Sequence, residues 1–177
     1  NKSSPFRNVD NNPEIFWKKE FSGKYNYLQI APYEHISNGR NGIDDRSINR
    51  TYAQIGLGFG DKIIFGTTLR YWYKEYKLSS RNKDIQDYVG SGETTFFAKF
   101  NSSNGITGKE ELFVKFFAGG GINGLDFKKG GQTVGLKFKT FIVGFSPYWF
   151  IQLENGYFPS TLEYNKKDTS VRAGLIL

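Results

Sequence analysis

The chain contains no cysteine and only one histidine among its 177 residues. The absence of cysteine excludes disulfides, a thiolate nucleophile and a cysteine-ligated zinc site. The sequence also has no run of about 18 apolar residues, so it predicts no transmembrane helix. A membrane β-barrel remains open, because barrel strands only alternate in hydrophobicity, and their average is compatible with the mean hydropathy of -0.52.

Aromatic residues are abundant at 18%, and they occur together with 21 glycines and a net charge of +7. At this length we expect a single domain over residues 1–177. The lysines are scattered through loops and alternate strand positions instead of being clustered, so they are interpreted as solvated faces. We therefore expect no nucleic-acid partner.

Alternating aromatic and β-branched residues predict strands along nearly the whole chain. The predicted strands lie near 14–22, 25–37, 46–59, 62–76, 86–100, 111–122, 132–145, 148–158 and 168–177. Tight connections are predicted at Gly60-Asp61 and Ser146-Pro147. Longer polar loops are predicted at 77–85, 101–110, 123–131 and 159–167. Short turns at one end and long loops at the other are typical of an up-and-down membrane barrel.

Each predicted strand has one apolar face and one more polar face that contains glycines. In the third strand, Asn49 falls on the same face as Ile55 and Leu57, whereas Arg50 falls on the other. A soluble barrel would turn the apolar face inward and a membrane barrel would turn it towards lipid. Aromatic residues near strand ends favour the membrane barrel, as interfacial girdles. These residues are Tyr71, Trp72, Tyr73, Tyr148, Trp149 and Tyr157.

The only histidine, His35, lies two positions before Ser37, and Asn49 follows twelve positions later. On a strand, a period of two places the first two side chains on one face, about 6–7 Å apart. Chemistry then suggests Ser37 as a nucleophile towards an ester, His35 as its base and Asn49 as the group that orients the imidazole. The alternative is a hydrogen-bonded histidine at a strand end with no catalytic role.

The loop after Ser37 offers groups that could stabilise negative charge. Backbone N–H groups near Asn38-Gly39 are candidates for an oxyanion hole. Asp44, Asp45 and the Arg40 carbonyl are hard oxygen ligands of the kind that calcium takes. The alternative is that the paired aspartates only form a solvated turn.

Three motifs resemble the bacterial outer membrane phospholipase A family. The central one is His35-Ile36-Ser37-Asn38-Gly39-Arg40, followed by Arg46-Ser47-Ile48-Asn49-Arg50. Ser3-Ser4-Pro5-Phe6-Arg7 resembles a second family motif, and residues 160–165 resemble the family's C-terminal region. The resemblance therefore extends over nearly the whole chain.

This resemblance implies an all-β, antiparallel up-and-down transmembrane β-barrel of about twelve strands. It implies a calcium-dependent phospholipase of the A1/A2 type, active as a homodimer on phospholipids of the Gram-negative outer membrane. Carried over by position, the resemblance implies that Ser37 is the nucleophile, His35 the base and Asn49 the residue that orients the base. It also implies that the Gly39 N–H donates to the oxyanion. The implied calcium ligands are the Arg40 carbonyl, Asp45 and Ser3.

Two features depart from the family pattern. Asp45 stands where well-known members have a serine, and Gly42 stands where an acidic residue can occur, so Asp44 is a candidate substitute. About nine strands are predicted instead of twelve, so we expect residues 1–177 to be the C-terminal portion of a longer barrel whose opening strands precede Asn1. The competing interpretations are a lipid A deacylase, a non-catalytic porin-like barrel and a soluble lipid-binding barrel.

Overall fold

The computed structural model of the chain describes residues 10–21, 25–40, 45–76, 84–101, 107–120, 124–141, 146–157 and 163–176. Nine strands and one short helix account for most of them. The elements are β1 (Glu14–Glu20), β2 (Tyr27–Ser37), β3 (Ser47–Phe59), β4 (Ile64–Tyr76), α1 (Ile85–Tyr88), β5 (Gly92–Phe100), β6 (Thr107–Gly119), β7 (Asp126–Thr140), β8 (Tyr148–Gly156) and β9 (Asp168–Ile176). Within these residues, no helix has both the length and the apolar character needed to cross a membrane.

All nine strands belong to one antiparallel sheet in which each strand pairs with the next along the chain. This confirms the predicted up-and-down order. The tight connection at Gly60-Asp61 is also confirmed, since β3 ends at Phe59 and β4 begins at Ile64. Ser146 and Pro147 directly precede β8, although residues 142–145 lie outside the described part of the chain.

Three predicted strand boundaries were wrong. Residues 85–88 form a helix instead of the start of a strand, because Ile85 and Val89, four residues apart, bury one face of this turn against the sheet interior. Strands β6 and β7 begin at Thr107 and Asp126, inside the predicted loops 101–110 and 123–131. Pairs such as Gly119 with Asp126 extend the ladder into polar sequence, which alternating hydrophobicity does not detect.

The outer face of the sheet is apolar and exposed, as the alternation predicted. In β3, Ile55, Leu57 and Phe59 are exposed, while Tyr52 and Gln54 on the opposite face are buried. In β4, Tyr71 and Tyr73 are exposed on the outer face. Placing Trp72 with them in an interfacial girdle was wrong: it is 4% exposed and points inward, because neighbouring strand residues face opposite ways.

Large aromatic side chains on the inner face lie opposite glycines on the neighbouring strand. A Cβ atom built on Gly135 would lie 2.3 Å from Cζ of Phe113, and one on Gly66 would lie 2.3 Å from Cζ of Phe97. The missing side chain thus leaves the space that the ring fills. The directly paired residues are Tyr27 with Gly56, Phe97 with Gly66, Phe113 with Gly135, Phe117 with Gly131, and Phe150 with Gly174. This pairing accounts for the recurrence of glycine on the polar face.

A β-bulge in β2 determines which side chains at the C-terminal end of this strand, up to Ser37, face outward. Ala31 pairs with Tyr52 and Glu34 pairs with Arg50, so β2 advances three residues where β3 advances two. The extra residue reverses the alternation. Ala31 is buried on the inner face before the bulge, and Glu34 is buried on it afterwards. The odd-numbered His35 and Ser37 are therefore on the outer face.

Candidate active site

His35 and Asn49 form a directly opposed pair on β2 and β3. The His35 backbone N–H donates to Pro13 O at 2.9 Å, away from β3, so the pair is of the non-hydrogen-bonded type, in which opposed side chains come closer together. His35 Nδ1 lies 2.6 Å from the Asn49 amide oxygen. Because that oxygen can only accept, Nδ1 carries the proton and Nε2 is left as the basic nitrogen. The structure thus joins two of the three predicted catalytic residues.

Tyr33 forms a third member of this cluster that the sequence did not suggest. Its ring is stacked parallel to the His35 imidazole, with centroids 6.4 Å apart and planes at 6°. Its hydroxyl donates to the same Asn49 oxygen at 3.3 Å. Tyr33 lies in the bulge and shares the outer face with His35, so its ring and hydroxyl restrict the positions of both side chains.

Ser37 ends β2 on the same face as His35 and lies opposite Ser47 of β3. Its backbone is also held from the other side: its N–H donates to Asn11 O at 2.9 Å, and the Asn11 N–H donates to Ser37 O at 2.7 Å. In the described residues, the His35 ring is hydrogen-bonded to Asn49 and not to Ser37. Hydrogen bonds between a base and a nucleophile are often long before substrate binds, so the placement is compatible with the predicted roles.

The chain turns immediately after Ser37 through Asn38 and Gly39. The buried Asn38 side chain accepts hydrogen bonds from the N–H of Arg46 at 3.1 Å and of Arg40 at 3.3 Å, which ties the two ends of the 40–46 loop together. Gly39 has φ of +63°, a conformation that suits glycine. Gly39, whose N–H is the predicted oxyanion donor, therefore lies in the turn that directly follows the predicted nucleophile Ser37.

The predicted cation site is only partly within the described chain. Arg40 and Asp45 lie at the two loop ends that Asn38 joins, and the Asp45 carbonyl accepts from Arg46 Nη1 at 2.9 Å. Ser3, Gly42 and Asp44 lie outside the described residues. Among those that are described, no group of three or more histidine, aspartate or glutamate side chains could hold a metal ion. A carboxylate, a backbone carbonyl and hydroxyls nevertheless have the chemistry of a calcium ligand set.

A buried ion pair lies on the inner face, directly behind His35 and Asn49. Arg50 Nη2 is 3.0 Å from Glu34 Oε2, and the two side chains are 5% and 1% exposed. The Trp72 indole N–H donates to the same carboxylate oxygen at 2.6 Å, and the Arg50 guanidinium lies 4.2 Å from the centre of the Trp72 ring. Sequence alternation had placed Arg50 on the polar face, but nothing in it identified Glu34 as its partner.

A buried hydrophobic cluster packs against the inner face of β2 and β3 at the ends that carry the candidate site. Ile36 of β2 and Ile48 of β3 pack in one buried cluster with Ile85, Val89 and Tyr164. The Tyr164 hydroxyl donates to Asp84 at 2.5 Å, and burial, followed by this hydrogen bond, raises the pKa of Tyr164 to about 12. Hydrophobic packing therefore supports the strand segment that carries the candidate site.

Comparison with known proteins gives one family for the whole chain. Residues 1–177 match the family model described as phospholipase A1. A protein of Neisseria meningitidis serogroup B, provisionally named a phospholipase A1, is 29% identical over 184 residues that cover 99% of this chain and 44% of that protein. The phospholipase A1 of Salmonella typhimurium is 26% identical over 192 residues, covering 99% of this chain and 55% of its own.

Solved structures give the same fold. The crystal structure of the Salmonella typhi outer membrane phospholipase dimer with bound calcium matches with a TM-score of 0.67 at 24% identity, covering 98% of this chain and 62% of that chain. The predicted all-β, antiparallel transmembrane β-barrel fold is thereby confirmed. The chain spans about half the length of the curated relatives that it matches.

Proposed function

The chain belongs to the phospholipase A1 family, and on that premise we propose that it is a serine hydrolase that cleaves acyl ester bonds of phospholipids in the Gram-negative outer membrane. The observation that carries this proposal is the 2.6 Å contact between His35 Nδ1 and the Asn49 amide oxygen, beside Ser37 on the outer face. A base already oriented next to a hydroxyl is the arrangement that activates a serine.

The proposed chemistry assigns one role to each of the three side chains. Ser37 Oγ attacks the acyl carbonyl while His35 Nε2 takes its proton, and the same imidazole returns the proton to the departing alcohol. Asn49 keeps Nδ1 protonated, which leaves Nε2 available as the base. A backbone N–H at Gly39 would donate to the oxyanion. Water then releases the fatty acid from the acylated serine.

The surroundings of the site suit a substrate that lies in a bilayer. The outer face of β2 and β3 carries exposed apolar side chains further along the strands, among them Ile30, Ile55 and Leu57. His35 and Ser37 lie at the other end of the same face, next to the long loops. A phospholipid beside the barrel would present its acyl chains to the apolar surface and its ester bonds to the strand ends.

We further propose that calcium is the cofactor, held by the Arg40 carbonyl, Asp45 and Ser3. Asn38 links the loop ends that carry two of these groups, and the Salmonella typhi structure contains bound calcium. Bound calcium would supply positive charge that stabilises the oxyanion. Asp44 is a further candidate ligand in the same loop.

The comparison with the Salmonella typhi structure also supports a proposal about assembly. Because the Salmonella typhi enzyme is a dimer, we propose that the active form here is also a homodimer.

Strands β1 and β9 form the edges of the described sheet, and a sheet edge in hydrocarbon leaves backbone groups unsatisfied. We therefore propose that residues 1–177 are the C-terminal portion of a larger closed barrel.

The test is fatty-acid release from phospholipid micelles by the full protein purified in detergent. We expect release with calcium, no release with a chelator, and loss of release in Ser37→Ala. Ser47→Ala is the matched control, because Ser47 lies directly across from Ser37. Full activity in Ser37→Ala would refute the proposed nucleophile. Hydrolysis of lipid A without hydrolysis of phospholipid would favour the deacylase instead.

A further inference from the structure

The outward position of the candidate site depends on the bulge at Pro32-Tyr33. Without the extra residue, the alternation that buries Gln29 and Ala31 would also point His35 and Ser37 into the barrel interior. With it, both side chains are on the lipid-facing side. Something must therefore hold β2 in the shifted register, since a slip of one residue would move the whole site to the other face.

The Glu34–Arg50 pair lies where it can hold β2 in the shifted register. It is the first pair after the bulge and immediately precedes the His35–Asn49 pair. Because His35 and Asn49 are a non-hydrogen-bonded pair, the alternation of the ladder makes Glu34 and Arg50 a hydrogen-bonded one. Their side chains add an ion pair at 3.0 Å, and Glu34 is 1% exposed. A slipped register would turn this carboxylate towards lipid, which is strongly unfavourable.

Two further contacts hold the pair from elements beyond β2 and β3. The Trp72 indole N–H of β4 donates to Glu34 Oε2 at 2.6 Å. Arg50 Nη1 donates to the Gly90 carbonyl, in the segment before β5, at 3.2 Å. The carboxylate is thus held by a cation and an indole donor, and the cation is fixed in turn by a backbone carbonyl.

We propose that Glu34 is a positioning residue: its buried contacts with Arg50 and Trp72 hold the shifted register that places His35 against Asn49 on the outer face. The residue does not touch substrate and acts only through the geometry of His35. This inference rests on the proposed function for its kinetic consequence. The geometry itself can be measured separately, so the two proposals can fail independently.

The direct readout is the tautomer of His35. Because His35 is the only histidine among residues 1–177, ¹⁵N-histidine labelling followed by NMR of the full protein in detergent gives one pair of ring nitrogens for this segment, and His35→Ala identifies that pair by its disappearance. At pH 8.5, where an ordinary histidine is neutral, the ¹⁵N shifts separate the Nδ1-protonated from the Nε2-protonated form. We expect the wild type to be Nδ1-protonated, and Glu34→Gln to contain both tautomers.

Kinetics on phospholipid micelles provide the second readout. We expect Glu34→Gln to lower kcat at least tenfold while KM changes less than twofold. Glu111→Gln is the matched control, because Glu111 makes a 2.9 Å ion pair with Lys99 on strands β5 and β6, away from His35. Both its tautomer and its kcat should match the wild type. Trp72→Phe, which removes only the indole donor, should shift the tautomers in the same direction and lower kcat about threefold.

The outcomes separate cleanly. If Glu34→Gln folds with a wild-type tautomer, the proposal is overturned, whether or not kcat falls. If Glu34→Gln does not fold, Trp72→Phe decides, and an unchanged tautomer in that variant overturns the proposal. If the wild type releases no fatty acid, the proposed function fails while the tautomer comparison still tests the positioning role.

Discussion

Asn49 lies directly across from His35 in the β2–β3 pair, and its amide oxygen is 2.6 Å from the imidazole Nδ1. Asn49 is 6% exposed although it belongs to the outer face, and its amide oxygen also accepts a hydrogen bond from the Tyr33 hydroxyl. The base is therefore oriented before any substrate is bound. A preorganised group of this kind loses little free energy to rearrangement in the transition state.

Replacing Asn49 with alanine should lower kcat by about 10- to 100-fold, because a hydrogen bond to a charged group contributes about 1.5–3 kcal/mol. His35→Ala should cost more, since it removes the base itself. Tyr33→Phe is the conservative control and should change kcat less than either. Steady-state kinetics on phospholipid micelles provide the comparison. An Asn49→Ala enzyme with wild-type kcat would exclude the orienting role.

Replacing Asp45 with alanine should raise the calcium concentration needed for half-maximal activity, because a carboxylate ligand would be lost. Activity at saturating calcium should be less affected. Asp61→Ala provides a control at the opposite, short-turn end of the sheet, and its calcium requirement should equal that of the wild type. The same requirement in Asp45→Ala would remove Asp45 from the proposed ligand set.

Replacing Gly135 with valine should destabilise the barrel by about 1–3 kcal/mol, because the added side chain overlaps the Phe113 ring. The three nearest atoms to a Cβ at this position all belong to Phe113. Adding Phe113→Ala to Gly135→Val should therefore recover part of the loss, and urea unfolding of the two single variants and the double variant measures this coupling. Simple additivity would contradict the steric explanation.

The sequence predicted the general architecture because alternation along a strand is a local property. Asn49 was correctly grouped with Ile55 and Leu57 on the apolar face, and Arg50 with the polar one. The three catalytic candidates were identified from the unique His35, from its spacing to Ser37 on one strand face, and from the resemblance of the surrounding motif to the phospholipase family. The structure places His35 and Asn49 in contact, whereas the catalytic roles of all three residues stay predictions.

The parts that could not be predicted depend on pairing between strands. The bulge between Ala31 and Glu34 is defined only by its partner strand, so the alternation within β2 gave no sign that its inner face changes there. The ion pair of Glu34 with Arg50 depends on the same register. Trp72 was assigned to an interfacial girdle on its residue type, although its place between the outward Tyr71 and Tyr73 requires it to point inward.

Tyr164 should ionise later than an ordinary tyrosine, with a pKa of about 12 against an ordinary value of 10.0. Because folding favours the neutral phenol, its contribution to stability is complete below pH 10 and is lost as the pH rises through about 12. Absorbance titration at the tyrosinate band, wild type minus Tyr164→Phe, should isolate this late transition. A difference curve centred near pH 10 would contradict the burial of Tyr164 in the hydrophobic cluster and its hydrogen bond to Asp84.

The most direct test of the central claim is mass spectrometry of the full protein after reaction with a serine-directed fluorophosphonate. The account predicts one adduct, on the peptide that contains Ser37. It also predicts that His35→Ala forms this adduct far more slowly, because the serine is then not activated. An adduct on Ser47, or full phospholipid hydrolysis after treatment with no adduct on Ser37, would contradict the account.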